Sequence, residues 1–221
     1  MPQKEKIESM FDKIAPRYDL LNNILSVGTH WLWKRKLVKE IKKTNPQSIL
    51  DIATGTGDII GQFNNTAIEL MGTDISVEML REAKIKFPDI SFLVDDITES
   101  GLLDKRYDVS CISYGIRNVS SIEKALDEMQ RVTNKNILIL EFGQPENFFL
   151  KGIYFGLMKY LIPFIGSLFG SKDSYQYLIE SSMNFPSGQK FKQLCKEQLK
   201  CKSVEVIPIF GGITYLYNIK L

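Results

Sequence analysis

Two glycines and two acids stand where the first apolar run of the sequence ends. The segment ILDIATGTGDII (49–60) reads as a strand, then Gly55-x-Gly57, then a helix that begins near Asp58, with Asp51 inside the strand. Glycines at such a turn let the backbone approach a ligand closely, and the free amides there are hydrogen-bond donors. A plain strand-to-helix turn also contains glycines, so the loop alone predicts only that a polar ligand can approach.

A further acid narrows the choice of ligand. Asp74 ends the second apolar run, and an acid there can accept hydrogen bonds from both hydroxyls of a ribose. A nicotinamide dinucleotide and S-adenosylmethionine share that adenosyl-ribose end. The dinucleotide fingerprint requires a glycine at position 60, where the chain has Ile60, and its pyrophosphate would meet Asp58 at a helix start. A cationic sulfonium suits Asp51 and Asp58, so the residues favour S-adenosylmethionine.

Polar residues also follow the third and fourth apolar runs. Asp95 and Asp96 come after ISFLV and are placed to meet the adenine amino group, although a solvated turn would contain the same acids. Arg117 and Asn118 follow the run YDVSCISYG (107–115) directly. Ligands of parallel sheets bind at the carboxyl ends of the strands, so we expect these residues to lie together around one ligand-binding cleft.

The pattern of elements that would position these residues is an alternation of strand and helix. Short apolar runs at 48–53, 68–74, 90–96, 107–115 and 136–142 are separated by helix-like stretches. This alternation predicts an α/β fold with a parallel sheet covered by helices on both faces. SVEVIPI, Gly211-Gly212 and ITYLYNIKL then predict an antiparallel hairpin at one edge.

Together these features predict a class I S-adenosylmethionine-dependent methyltransferase with a Rossmann-like sheet. We expect one domain over 1–221, with an N-terminal helical cap over 1–45 and an apolar helical insert over 146–186. The insert contains FFLKGIYFGLMKYLIPFIGSLFG (148–170), which two lysines and a proline interrupt, so it is too short for a membrane span. It reads equally well as a core helix pair or as an apolar lid for a greasy ligand.

Composition excludes several classes of partner. The net charge of +2 does not call for a polyanion, so no nucleic acid is expected. Three cysteines without a CxxC pair and a single histidine predict no metal site and suit a reducing compartment. The first residues lack the apolar stretch of a secretory signal, so we expect a cytoplasmic protein.

Motifs along nearly the whole chain resemble one family, the ubiquinone/menaquinone biosynthesis C-methyltransferases. The resemblance is carried by FDKIAPRYDLLNNILSVGTHWLWK (11–34), ILDIATGTGD (49–58), GTDISVEML (72–80), YGIRNV (114–119), LEF-x-x-P (140–145) and SYQYLIESSMNFP (174–186). Most of these motifs lie outside the glycine loop, where generic methyltransferases differ.

The resemblance implies transfer of a methyl group from S-adenosylmethionine to a ring carbon of a polyprenylated quinol. The acceptor would be demethylmenaquinol or the 2-methoxy-6-polyprenyl-1,4-benzoquinol precursor of ubiquinone. Carried over by position, the cofactor contacts are Thr56, Asp74, Asp96, Ile97 and Ser113. The chemistry of the glycine loop, independent of the resemblance, adds Asp51, Gly55 and Gly57 as expected cofactor contacts.

The chemistry implied requires a proton to leave the quinol, because only an electron-rich ring attacks the sulfonium methyl. We expect Arg117 to stabilise the phenolate and polarise a water, and Asn118 to orient the hydroxyl. Tyr18 of the RYD motif is expected to complete the site, and His30 is the only imidazole. A core ring and a structural histidine are the alternative interpretations of these last two residues.

Other functions remain open on sequence alone. A nucleic-acid amino-methyltransferase would need Asn/Asp-Pro-Pro-Tyr where the chain has Ser113-Tyr114-Gly115-Ile116. A non-catalytic protein that binds an adenosyl ligand, or an assembly factor, would keep Asp74 without needing Arg117. The basic helix face over 34–43 could contact an anionic membrane surface peripherally, or it could be an ordinary solvated face.

Overall fold

The computed structural model describes residues 4–19, 23, 28–145, 152 and 172–221. The apolar segment 148–170 therefore lies outside the described residues, apart from position 152. The helices are α1 (Lys4–Ile14), α2 (His30–Lys43), α3 (Val77–Lys86), α4 (Ile122–Val132), α5 (Lys172–Asn184) and α6 (Gln189–Gln198). The strands are β1 (Ser48–Ile52), β2 (Glu69–Asp74), β3 (Ser91–Val94), β4 (Tyr107–Ser113), β5 (Thr133–Phe142), β6 (Ser203–Ile209) and β7 (Thr214–Lys220).

All seven strands form one sheet in the order β3-β2-β1-β4-β5-β7-β6. Strands β1 to β5 run parallel, and β7 is antiparallel to both β5 and β6. The predicted α/β fold with an antiparallel edge hairpin is therefore confirmed. Strand order reverses beside β1, which brings the carboxyl ends of β1, β2 and β4 together at the point where such sheets bind ligands.

The sheet is buried on both faces because its strands carry apolar residues on both sides. In β5, Leu138 and Leu140 belong to a cluster with Leu37 and Ile41 of α2. Ile137 and Ile139 of the same strand face the opposite cluster, which α4 and α6 complete. Alternate residues of a strand point to opposite faces, so two helical layers bury β5 from Ile137 to Glu141.

The helix predicted after the glycine loop is shorter than the sequence indicated. The chain passes through turns and forms only a 3₁₀ helix over Ile60–Phe63. The ring of Phe87 fills the space beside Gly61, where an added Cβ would lie 2.2 Å from the Phe87 Cζ. Asn65 then adopts a left-handed φ of 63° and reverses the chain. Packing of Phe87 and this reversal replace the longer helix.

The described helices are also informative about membrane insertion. Every helix there is too short or too polar to cross a bilayer.

Candidate active site

A cleft opens at the carboxyl ends of β1, β2 and β4, beneath α1. Its walls combine apolar side chains with a few polar ones, as expected for a small-molecule site. The lining residues are Ile7, Phe11, Tyr18, Ile52, Ala53, Gly55, Asp74, Ile75, Met79, Asp96, Ile97, Ser113, Tyr114, Gly115, Asn118, Val119 and Ser120. Seven residues expected from the sequence to act in the site are in this set: Tyr18, Gly55, Asp74, Asp96, Ile97, Ser113 and Asn118.

Asp74 at the end of β2 forms the polar floor of the cleft. One carboxylate oxygen accepts from the Gly55 amide at 2.9 Å, and the other accepts from the Ser76 amide at 2.9 Å. Burial raises the pKa of Asp74, and the two amide hydrogen bonds partly offset this effect. The carboxylate is thus held in one orientation at the position expected for a ribose partner.

Gly55 of the glycine loop lines the cleft, while two predicted contacts of the loop do not. Gly55 borders the cleft with a φ of 57°, a conformation that suits glycine. Gly57 has a φ of 84° and packs against Phe87. The Thr56 hydroxyl donates to the Asp19 carboxylate at 2.7 Å. Thr56 and Gly57 therefore support the loop in this structure, and their direct contact with a cofactor stays a prediction.

Asp51 lies buried beneath the loop. It is 1% exposed, and its carboxylate accepts from the Thr54 hydroxyl at 2.6 Å and from the Cys111 thiol at 3.4 Å. Burial raises its pKa to about 6. Asp51 is not among the lining residues of the described cleft, so the structure gives it the role of anchoring the loop, and the expected place beside a sulfonium is not seen.

Asp96, Ile97 and Ser113 also line the cleft. Asp96 accepts hydrogen bonds from the amide and the hydroxyl of Thr98 at 2.9 and 2.7 Å, and Ile97 is buried. The hydroxyl of Ser113 is buried without a hydrogen-bond partner among the described residues. A buried hydroxyl normally finds a partner, so its position on the wall indicates that a ligand supplies one.

The N-terminal segment covers the cleft. Ile7 and Phe11 of α1 line it, and the ring of Tyr18 lies against Phe11 with centroids 6.3 Å apart. The Ser76 hydroxyl donates to Asp12 at 2.6 Å, which ties α1 to the start of α3. Asp19 accepts from Thr56 and forms an ion pair with Lys86. Of the helical cap expected over 1–45, the part from α1 to Asp19 covers the cleft, whereas α2 packs against the sheet.

Arg117 lies in the 3₁₀ turn after β4 and turns its guanidinium toward a buried acid. Its Nη1 donates to the Glu141 carboxylate at 2.6 Å and to the Tyr114 carbonyl at 2.7 Å. The Arg117 and Glu141 side chains are 7% and 0% exposed. Asn118 lines the described cleft, whereas Arg117 stands beside it behind Tyr114.

Asn118 links this group to α5. Its Oδ1 accepts from the Tyr177 hydroxyl at 3.1 Å, and its Nδ2 donates to the Tyr114 carbonyl at 3.3 Å. Burial raises the pKa of Tyr177, with the charge of Arg117 acting against it, so its hydroxyl is protonated at neutral pH. Arg117, Asn118, Glu141 and Tyr177 thus form one polar cluster at the side of the cleft.

Asp58 and His30 have other partners than the sequence suggested. Asp58 accepts from Lys34 at 2.7 Å, with side chains 13% and 11% exposed, and this charge pair joins the loop to α2. His30 is buried against Trp31, and desolvation together with Lys34 lowers its pKa. Its surroundings agree with the structural interpretation.

Three members of the polar cluster or of the cap were missed on sequence. Glu141 stood at the end of an apolar strand, where a buried acid signals a cationic partner. Tyr177 and Asp19 belong to the quoted motifs SYQYLIE and RYD, but no role was assigned to either. Motif membership was the only signal that could have pointed to them.

The cleft fits an adenosyl ligand: Asp74 is an oriented acid at its floor, apolar residues line its walls, and the Ser113 hydroxyl makes no hydrogen bond to a described residue. The sheet order agrees with solved structures over nearly the whole chain. A SAM-dependent methyltransferase and possible histamine N-methyltransferase from Thermotoga maritima covers 96% of this chain and 98% of its own, with a TM-score of 0.69 and 15% identity. A putative S-adenosyl-L-methionine-dependent methyltransferase from Methanococcus maripaludis covers 99% and 95%, with a TM-score of 0.62 and 16% identity. The fold is that of the class I methyltransferases.

Within that class, the chain belongs to the ubiE/COQ5 methyltransferase family, whose family model matches residues 1–217. A ubiquinone/menaquinone biosynthesis C-methyltransferase UbiE from Bdellovibrio bacteriovorus is 40% identical, over 98% of this chain and 96% of its own. A demethylmenaquinone methyltransferase from Bacteroides fragilis is 37% identical, over 98% and 92%. The resemblance read from the motifs is confirmed. The protein is a C-methyltransferase of quinone biosynthesis, and its cofactor is S-adenosylmethionine.

Proposed function

We propose that the protein methylates a ring carbon of demethylmenaquinol to give menaquinol. The observation that carries the proposal is the polar cluster of Arg117, Asn118, Glu141 and Tyr177 beside the cofactor cleft. The name of the Bacteroides fragilis relative supports a naphthoquinol head group. The name of the Bdellovibrio relative includes ubiquinone, so the methoxy-polyprenyl-benzoquinol is the second candidate acceptor.

S-adenosylmethionine supplies an electrophilic methyl group when it is bound. Asp74 would take the ribose hydroxyls, Asp96 and Ile97 would receive the adenine, and the Ser113 hydroxyl, which has no partner among the described residues, would bond to the ligand. Tyr18, Phe11 and Ile7 exclude water from above. These residues orient the methyl donor and keep the reaction away from bulk solvent.

The polar cluster favours the ionised quinol. An arginine side chain stays protonated in proteins, so Arg117 is a poor base and acts by its positive charge. It stabilises the oxygen that gains charge as the proton leaves to a water, while Asn118 orients the hydroxyl. The electrons of that oxygen would then flow into the ring, and the ring carbon would bond to the methyl carbon as the methyl–sulfur bond breaks and leaves S-adenosylhomocysteine. Loss of the proton on that ring carbon to water would then restore the aromatic quinol.

The acceptor carries an apolar tail, so we also propose a peripheral contact with a membrane surface. The exposed cations Arg35, Lys39 and Lys42 on α2 contribute to it. The contribution of α2 is smaller than its composition suggests, because Lys34 is paired with Asp58, and Lys36 and Lys43 share Glu40.

The proposal is tested with the purified chain, S-adenosylmethionine and two chemically reduced short-tailed acceptors. One acceptor is a demethylnaphthoquinol and the other a methoxybenzoquinol, and mass spectrometry detects the methylated products. We expect kcat/KM to be at least tenfold higher for the naphthoquinol. A preference for the benzoquinol would make the ubiquinone precursor the substrate, and binding of S-adenosylmethionine without any product would favour a non-catalytic role.

A further inference from the structure

We propose that Glu141 is a positioning residue for the methyl transfer: with Ser181 it holds the guanidinium of Arg117 so that a single nitrogen is left for the substrate. This inference rests on the proposed function, in which Arg117 stabilises the quinol oxygen. It concerns residues of β5 and α5, which lie outside the motif that carries Arg117.

The donors of the guanidinium can be counted. Arginine has five N–H groups, and three of those of Arg117 are engaged. Both N–H groups of Nη1 are taken, one by Glu141 at 2.6 Å and one by the Tyr114 carbonyl at 2.7 Å. Nε donates to the Ser181 hydroxyl at 3.3 Å. Among the described residues Nη2 makes no hydrogen bond, so its two N–H groups are the ones available to a substrate oxygen.

Glu141 is itself fixed by more than Arg117. Its Oε1 accepts from the Phe142 amide at 2.8 Å, and the Arg117 amide approaches its other oxygen at 3.4 Å. The guanidinium also stacks over the Phe142 ring, 5.2 Å from the centroid. Glu141 therefore sets the rotation of the guanidinium plane from a rigid strand, and side chains on rigid elements hold a site more accurately than loops.

Charge balance gives Glu141 a second effect. The carboxylate is fully buried, and burial raises its pKa, while the charge of Arg117 acts against the rise. As an ion pair, the two groups add no net charge beside a cleft that takes a cationic cofactor. Without the carboxylate, the guanidinium would place an uncompensated positive charge next to the quinol and would favour its ionised form more strongly.

A purely structural ion pair is the competing interpretation, since buried pairs occur throughout proteins. Glu40 on α2 provides a matched control. It is 4% exposed and paired with Lys36 and Lys43, and it lies toward the opposite end of the sheet from the cleft. A Glu40→Gln variant removes a buried, paired carboxylate without touching the polar cluster.

The test compares Glu141→Gln with Glu40→Gln in the quinol methylation assay. Gln has the shape of Glu without its charge, so the bond to Nη1 weakens. We expect kcat to fall at least tenfold while KM for S-adenosylmethionine changes less than threefold. We also expect the pH at which kcat reaches half its alkaline plateau to move downward in Glu141→Gln. Glu40→Gln should change neither quantity.

A double-variant cycle with Arg117→Lys asks whether Glu141 acts through Arg117. We expect Glu141→Gln to add less than a twofold loss of kcat in the Arg117→Lys background, because the positioned group is already lost. The inference would be overturned if the two single losses of kcat multiplied fully in the double variant. It would also be overturned if Glu141→Gln had the wild-type kcat and pH midpoint.

A milder variant covers the case in which Glu141→Gln does not fold. Ser181→Ala removes the acceptor of Nε and is expected to lower kcat at least threefold with unchanged KM for S-adenosylmethionine. Unaltered kcat in Ser181→Ala would then contradict the proposed clamp. Absence of quinol methylation by the wild-type chain would instead contradict the proposed function, and this inference would fall with it.

Discussion

At the scale of single residues, the proposed methyl transfer depends on a few side chains whose surroundings set their chemistry. Arg117 is buried, paired and hydrogen-bonded. Nη2 is its one side-chain nitrogen that makes no hydrogen bond to a described residue, so it is left for the substrate. Asp74 and Ser113 occupy the cleft with one oriented carboxylate and one unpartnered hydroxyl. Burial and hydrogen bonding thus separate the group that stabilises the acceptor from the groups that bind the cofactor.

Replacing Arg117 by lysine is expected to abolish most turnover. Lysine keeps the charge, but it cannot donate to Glu141, Tyr114 and a substrate oxygen from one fixed plane. We expect kcat to fall about 100-fold or more, the size of loss seen when a positioned oxyanion donor is removed. Binding of adenosylhomocysteine, measured by calorimetry, should change little. Near-normal kcat in Arg117→Lys would show that a point charge suffices.

Asp51 predicts a pH dependence of stability. Its pKa is about 6 in the folded protein, above the ordinary value of 3.8, because the carboxylate is buried. The folded state thus holds a proton that the unfolded state releases, and stability falls as the pH rises from about 4 to about 6 and is level above.

Asp51→Asn removes this titration and serves as the reference. Compared with it, wild type should lose roughly 2–3 kcal/mol of unfolding free energy across the window, at about 1.4 kcal/mol per pKa unit. Urea unfolding of both chains at several pH values measures the difference. A gap that is the same at every pH would mean that Asp51 does not titrate there.

At the scale of elements, the N-terminal segment through Asp19 is the part of the fold that covers the cleft. Helix α1 contributes Ile7 and Phe11 to the cleft, and its side chain Asp12 is bound to Ser76. Asp19, just after the Ala15–Arg17 turn, is bound to Thr56 and Lys86. These contacts hold the segment over the cleft, so we expect them to slow the release of a bound ligand.

Asp19→Ala should loosen this cover. The variant removes one hydrogen bond and one partly exposed ion pair, which together contribute on the order of 1–2 kcal/mol. We expect adenosylhomocysteine to dissociate about three- to tenfold faster, as measured by stopped-flow fluorescence. Lys13→Ala changes an exposed residue of the same segment and should leave the rate unaltered. Equal rates in both variants would mean that Asp19 does not hold the cover closed.

Local patterns were sufficient to predict the elements but not the pairs between them. Each of the seven strands begins and ends within about three residues of the predicted run, because buried strands are short apolar runs bounded by polar turns. Lys34 was expected on a solvated face, yet it pairs with Asp58. The contact of Arg117 with Glu141 depends on β4 lying beside β5 in the register Ser113↔Leu140. No spacing along the chain encodes that register.

At the scale of the whole molecule, the proposed membrane contact depends on the distribution of charge. The net charge of +2 is small, and three exposed cations of α2 remain outside ion pairs of described residues: Arg35, Lys39 and Lys42. Near an anionic bilayer each such cation contributes about 1 kcal/mol. An electrostatic attraction of this size should be measurable at low ionic strength, whereas salt screens it at high ionic strength.

Replacing Arg35, Lys39 and Lys42 together by alanine should weaken binding to vesicles that contain anionic lipid. We expect at least a tenfold loss of affinity in co-sedimentation at low salt, and no difference in high salt. The control is a triple alanine variant of Lys190, Lys196 and Lys200, three exposed lysines in and just after α6. Equal losses of vesicle affinity in both variants would mean that net charge, and not the position of these cations, explains the binding. Absence of vesicle binding by the wild type would contradict the membrane contact.

The reaction proposed for this chain is transfer of a methyl group to a carbon of a reduced quinone. The most direct measurement is an anaerobic assay with S-adenosylmethionine labelled at its methyl group and a short-tailed demethylnaphthoquinol, with the product analysed by NMR. We expect a product with one labelled methyl group on a ring carbon, and we expect it to form from the quinol and not from the oxidised quinone. Label on oxygen, equal rates with the oxidised quinone, or no transfer by a chain that binds the cofactor would contradict it.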